Sequence, residues 1–239
     1  MYRRYVKGQS LLSLMLSISL SSFLLIIIFS FYTYSQKQNQ EMRMQLYLQN
    51  EIERVLQLMA KDLRRSGFRA VTEKLQVSNF PFFELDDKGT SILISQVSGE
   101  PLGSCVLFFY DLDSSGCIGS TYTKGLCIQD GKNQVREIER ELFGYRLNKK
   151  MLETRLTYKN TVNQECSQEQ CRTYTQQPAC EKGGWVDLFD NKEIAISQFF
   201  LQWIKEGELI EAHLMGYLVK QPHIQYKSHI VIPLLNQGR

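Results

Sequence analysis

From Gln9 to Tyr34 the chain reads QSLLSLMLSISLSSFLLIIIFSFYTY, without one charged side chain. About 20 predominantly apolar residues cross a hydrocarbon core of roughly 30 Å as a helix, so the run is long enough to span a bilayer. Ser10, Ser13, Ser17, Ser19, Ser21 and Ser22 dilute its first half, and FLLIIIFSF makes the second half strongly apolar. Serine hydroxyls bond back to the preceding helical turn, which makes them tolerable in lipid. Beyond this run the pattern becomes amphipathic. Met44, Leu48, Ile52, Val55, Leu56, Met59 and Leu63 recur at steps of three or four, the period of one helical face, and predict packing against the chain's own domain. Gly67 supplies a stop, and Lys61, Arg64 and Arg65 fall in the last turns, where cations suit the helix dipole. One helix from near Gln9 to Ser66 is predicted, about 85 Å long at 1.5 Å per residue.

After Gly67 the period shortens. SILISQV, SCVLFFYDL, LFGYRLN, KMLETRLTY, EIAISQFFLQWI, ELIEAHLMGYLV and SHIVIPLL read as strands, punctuated by DDKGT, DSSG, NKK, KEGE and KQPH. FGYRLNKKMLETRL and FFLQWIKEGELIEAHL read as hairpins. The fold class is α+β, a long N-terminal helix packed on an antiparallel β-sheet domain.

Composition adds little until charge is located. With 239 residues, 43% hydrophobic and 22% charged, the chain has room for one membrane element and one globular domain. Its net charge of +3 is matched by Arg3, Arg4 and Lys7 alone, since 28 basic residues less these three leaves 25 against 25 acidic ones. Basic residues before the span put the N-terminus in the cytoplasm and the rest outside. The balanced remainder gives no bulk excess for phosphate neutralisation, so nucleic acid is not indicated as a partner. RLNKK with Arg155 and Lys159 is the one modest basic patch. No G-x-S-x-G, H-E-x-x-H or G-x-x-x-x-G-K motif occurs, and neither an enzyme nor a cofactor is expected. Trp185 and Trp203 read as core or turn packing before they read as ligand platforms.

A secretory leader has an apolar region of about 7 to 15 residues and a small-residue exit. Here the run is longer, and FSFYTYSQ provides no such exit. KGQSLLSLMLSISLSSFLLI instead resembles the type IV prepilin leader, a short basic stretch ending in Gly and cut on the cytoplasmic side of the apolar helix. The resemblance implies cleavage by prepilin peptidase between Gly8 and Gln9, N-methylation of Gln9, and retention of the whole anchor. That family usually has Phe after the cut and Glu four residues later; here Gln9 and Ser13 stand in those places. Further along, GSCVLFFYDLDSSG, LFGYRLNKKMLETR, ACEKGGWVDLFDNKEIAISQFF and SHIVIPLLNQG are similar to minor pilins of the prepilin peptidase-dependent protein B type, related to PilW and to pseudopilin J of type II secretion.

The divisions implied are a leader over 1–8, a transmembrane helix over 9–35, its amphipathic continuation over 36–66, and a periplasmic β-rich domain over 67–239. The role implied is a minor pilin that helps initiate or cap a type IV pilus, first held in the inner membrane by a single pass and then carried in the pilus. Its expected partners are other pilins and minor pilins, prepilin peptidase and the assembly platform. A type II secretion pseudopilin, or a tip module of a competence pilus that binds DNA or a surface, are the alternatives.

Two local features carry separate chemistry. Cys105, Cys117, Cys127, Cys166, Cys171 and Cys180 would face an oxidising space outside the cytoplasmic membrane, where disulfides are the default, and six cysteines allow fifteen complete pairings. The best guesses are a local staple between Cys166 and Cys171 and a longer link from the Cys105 to Cys127 group to Cys180. Zinc spacing is absent, and His213, His223 and His229 lie far along the chain. In DLDSSG, Asp111, Asp113 and Ser115 followed by Gly116 imitate the opening of an EF-hand loop, but the twelfth position is Tyr122 rather than a bidentate Glu. A polar turn is the leading reading, with calcium as the weaker one.

Overall fold

The computed structural model describes residues 11–71, 77–86, 89–120, 126–155, 165–182 and 184–236. The leader, Gly8 and Gln9 lie outside these residues, as do Tyr122 and Lys159. The chain divides into two units, Met1–Leu46 and Tyr47–Arg239. The helix α1 runs over Leu11–Arg65.

In the first unit, every large apolar side chain from Leu11 to Phe31 is exposed. Its hydroxyls turn inward, as the composition predicts. Ser17 Oγ donates to Leu14 O at 2.9 Å, Ser22 Oγ to Ile18 O at 2.9 Å and Ser30 Oγ to Ile26 O at 2.7 Å. Each such bond conceals a polar group that hydrocarbon could not satisfy. Among the described residues, α1 is the one helix long and apolar enough to cross a membrane.

The second unit begins with the remainder of α1, whose stripe of Leu48, Ile52, Val55, Leu56, Met59 and Leu63, joined by Ala60, is fully buried. The helix stops where the sequence provides for it. Gly67 has φ +76°, and its N–H donates to Phe109 O at 2.9 Å. A side chain there would be strained twice over, because a Cβ would come within 2.7 Å of Ser91 Oγ and 2.8 Å of Asn236 O.

The strands are β1 (Ile92–Ser95), β2 (Cys105–Phe109), β3 (Ile128–Gln129), β4 (Lys132–Asn133), β5 (Leu142–Asn148), β6 (Met151–Arg155), β7 (Trp185–Asp187), β8 (Ile194–Lys205), β9 (Leu209–Leu218) and β10 (Gln221–Pro233). They form a five-stranded sheet in the order β1-β2-β5-β6-β7, a three-stranded sheet in the order β10-β9-β8, and the small pair β3-β4. All of their pairings are antiparallel. The short helices α2 (Gln168–Arg172) and α3 (Pro178–Glu181) lie between β6 and β7 in sequence, with Ser167 and Gln170 forming a capping box at the start of α2.

Both predicted hairpins form. The β5-β6 turn places Lys149 and Lys150 at φ 49° and 66°, the left-handed pair a two-residue hairpin loop requires, and β8 turns into β9 through Gly207 at φ +73°. A third hairpin joins β9 to β10 where KQPH reads as a loop. Pro222 is accommodated because β10 is an edge strand and the register shifts between Gln221 and Gln225. Along β9, buried Ile210, Ala212, Leu214 and Leu218 alternate with half-buried neighbours, so one face of this sheet is committed to the core.

Polar contacts tie the C-terminal part of α1 to both sheets. Tyr226 Oη and Ser228 Oγ of β10 donate to Glu53 Oε1 at 2.9 and 2.6 Å, and Tyr145 Oη of β5 donates to Asp62 Oδ2 at 2.6 Å. A separate aromatic core lies beyond the helix end, with Phe80 and Phe83 tilted against Phe109 at centroid distances of 5.8 and 6.1 Å.

Candidate functional site

The loop that follows β2 draws three carboxylates together. Asp111, Asp113 and Glu141 each bring an oxygen within 4.8 Å of the others. The first two are the aspartates of the EF-hand-like stretch. The third predicted oxygen, Ser115 Oγ, turns instead to Cys117 O and Gly119 O at 3.2 and 3.3 Å. Glu141 comes from the residues just ahead of β5 and has no sequence motif linking it to the loop.

What these oxygens face decides their chemistry. Asp111 Oδ1 accepts from Ser115 N at 3.0 Å, and Oδ2 accepts from Ala70 N at 3.0 Å and Gly116 N at 2.8 Å. Asp113 Oδ1 accepts from Ser115 N at 2.9 Å. Glu141 Oε1 accepts from Leu112 N at 2.6 Å and Asp113 N at 3.2 Å, and Oε2 accepts from Gly119 N. A hard cation needs six to eight oxygens with lone pairs turned toward it. Here the lone pairs are turned toward amide hydrogens, and the arrangement serves to hold an irregular loop whose backbone donors would otherwise be buried without partners.

Burial sets the proton affinity of this cluster. It pushes Glu141 up to about 7, against the opposing pull of its three N–H donors, and it also raises Asp111. Asp62, under Tyr145, is raised for the same reason. A carboxyl whose folded-state affinity for protons exceeds its unfolded one stabilises the fold below the unfolded value and loses that contribution as the pH rises through the folded value. Stability is therefore expected to fall between about pH 4.5 and pH 7 for Glu141. Urea unfolding of the detergent-solubilised chain at pH 5 and pH 7.5 checks this, with Glu141→Gln expected to flatten the slope.

The cysteines pair as Cys105–Cys180, Cys117–Cys127 and Cys166–Cys171, with Cα separations of 6.2, 6.2 and 5.3 Å. All six are fully buried. Cys105–Cys180 joins β2 to α3, and the other two pairs belong to the aromatic core around Phe80, Phe83 and Phe109.

The modest basic patch is split: Lys149 and Lys150 are exposed at the β5-β6 turn, whereas its two arginines are buried. Arg146 is buried, pairs with Glu153, donates to Cys180 O and lies 4.5 Å over the Trp185 ring. Arg155 is 5% exposed and donates from Nη1 to Tyr174 O at 2.7 Å. Two of its cations are thus spent inside the domain, a correction to the sequence pattern that arises because β5 and β6 lie under Trp185 and the segment around α3. Trp185 serves packing, and Trp203, half-buried on β8, borders two clefts of about 590 and 580 Å³ shared with β1.

Comparison with known proteins bears on the whole chain. The family model for prepilin peptidase-dependent protein B matches residues 41–234. A protein of Haemophilus influenzae described as "Uncharacterized protein" is 52% identical over 238 residues, covering 99% of this chain and 100% of its own length. No solved structure matches.

Proposed function

The chain belongs to the prepilin peptidase-dependent protein B family, and from that premise we propose that it is a minor pilin that helps start or cap a type IV pilus. The observation that carries the reading is the double character of α1. Its first part is an exposed apolar rod, and its last turns are the core of a sheet domain. A subunit built this way sits in the inner membrane with its domain in the periplasm, and prepilin peptidase cuts it between Gly8 and Gln9 without removing the anchor. Gln9 then carries the new amine, the substrate for N-methylation.

Inside lipid the apolar surface gains nothing by leaving its surroundings, so helices associate through packing and hydroxyl bonding. The serine-rich half of α1 suits that mode. Ser13 supplies no carboxylate to attract a neighbouring subunit's terminal amine, which favours a position occupied once per fibre over one repeated along the shaft. Other pilins and minor pilins and the assembly platform are the partners in this account.

Deleting the coding sequence and restoring it in trans tests the role. Loss of surface fibres with protein secretion intact, reversed by the wild-type chain, is the expected result. Intact fibres with lost secretion would move the chain to a type II secretion pseudopilus. Normal fibres and normal secretion together would overturn the proposal.

A further inference from the structure

The two larger sheets meet along their edges. β1 pairs only with β2 and β8 only with β9, so each strand leaves one side of its backbone outside a ladder. Between these two sides lie the clefts of about 590 and 580 Å³. A hollow on the face of a sheet is lined by every second residue of a strand, because side chains alternate. Here the linings are consecutive, 94–96 and 200–203 in one cleft and 92–94 in the other. The main-chain edges themselves therefore form the walls.

Register decides which amides point inward. Phe109 N donates to Ser91 O at 3.3 Å, which makes these two residues a hydrogen-bonded pair and sets the alternation along β1. Ile92 and Ile94 accordingly turn their N–H and C=O groups away from β2, toward the clefts. On the opposite wall, Leu201 N of β8 donates to Gly103 O at 3.0 Å and closes one end. Trp203, two residues on, presents its main chain to the open part. The strands run in opposite directions, since 94–96 faces 200–203 whereas 92–94 faces Trp203 and 206–208. Strand edges in native folds are normally guarded by charge or proline. The edge strand β10 carries Pro222 and Lys227, but ILIS of β1 has neither.

We propose that the space between β1 and β8 receives an extended segment of a partner polypeptide, which inserts as a strand and joins the two sheets. Main-chain donors and acceptors that repeat at every second residue on both walls are matched by one kind of ligand, another extended backbone. Ile94, Trp203 and Leu102, the last 81% exposed, offer apolar contacts to its alternate side chains. Charge at the open end fixes the polarity of the guest. Asp86, Glu206 and Glu208 line that end. Lys205 pairs with Glu208 at 2.6 Å, and among the described residues no cation pairs with Glu206. The segment is thus basic where it emerges, and antiparallel pairing with β1, the better of the two senses, puts its C-terminal end there.

The probe is the blocked, fluorescently labelled peptide TVTVTVK, added to the full-length chain in detergent micelles and followed by anisotropy. Saturable binding of one equivalent is expected. N-methylation of either alternate set of its amides should weaken binding at least about 10-fold, because a strand held on both sides uses both sets. Ile94→Pro is expected to weaken it as much while leaving the far-ultraviolet circular dichroism unchanged, since an edge strand tolerates proline where the N–H lies outside the ladder. Glu206→Lys should weaken TVTVTVK by up to about 5-fold and favour TVTVTVE instead. Absence of saturable binding to the wild-type chain, or undiminished binding to a folded Ile94→Pro chain, would overturn the proposal. So would one methylated series that binds as well as the parent, which would mean addition to a single edge. Self-association of the wild-type chain that Ile94→Pro abolishes would put a second copy in the cleft and overturn it as well.

Discussion

Replacing Cys105 and Cys180 together by alanine is expected to lower the unfolding free energy by about 4.5 kcal/mol, from the closure entropy of a loop of this length. The bridge spans a sequence separation of 75, and a cross-link restricts the unfolded chain more as the loop it closes grows longer. Both cysteines are fully buried, where they pack with Val97, Leu107 and Ala179, and alanine keeps the site apolar. The Cys166–Cys171 pair closes only five residues, so its removal is expected to cost about 2 kcal/mol. Urea unfolding of the full-length chain in non-reducing buffer compares the two variants. Equal losses, or a larger loss from the shorter loop, would show that chain entropy is not what the long bridge supplies.

Leu56→Ala is expected to cost about 2–5 kcal/mol, the range for truncating a buried leucine and leaving part of the cavity open. Leu56 is fully buried, whereas Leu58, two positions on and across the helix, is 37% exposed. Leu58→Ala should therefore stay within about 0.5 kcal/mol. The contrast tests which face of α1 the domain has claimed. If the two substitutions cost the same, the helix is not seated on the sheets through the stripe from Leu48 to Leu63.

That stripe was legible because a helical face is a local pattern, and Gly67 was legible because few other residues accept its backbone angle. The β5-β6 and β8-β9 hairpins were legible for a similar reason, since a short polar turn between two apolar runs leaves little choice of partner. What could not be read depends on which strands become neighbours. Pro222 argued for a loop, and only the edge position of β10 makes it compatible with a strand. The three residues of β7 have too short a pattern to stand out, and they pair with β6 across the intervening segment that carries α2 and α3.

The same limit governs the sites. Asp111 and Asp113 advertise themselves by spacing, but Glu141 joins them only through the fold. Arg146 and Arg155 look like surface charge until β5 and β6 are covered. Ile94 and Trp203 lie far apart in the numbering and border one cleft only once β1 and β8 have become sheet edges.

The account as a whole depends on proteolysis ahead of the apolar helix rather than behind it. The most direct measurement is the intact mass and N-terminal sequence of the chain recovered from cells with and without prepilin peptidase. A mature chain that begins at Gln9, retains all of α1 and appears only when the peptidase is present is the expected result. An unprocessed Met1 in cells that mature their other pilins, or a chain that begins beyond Tyr34, would contradict it.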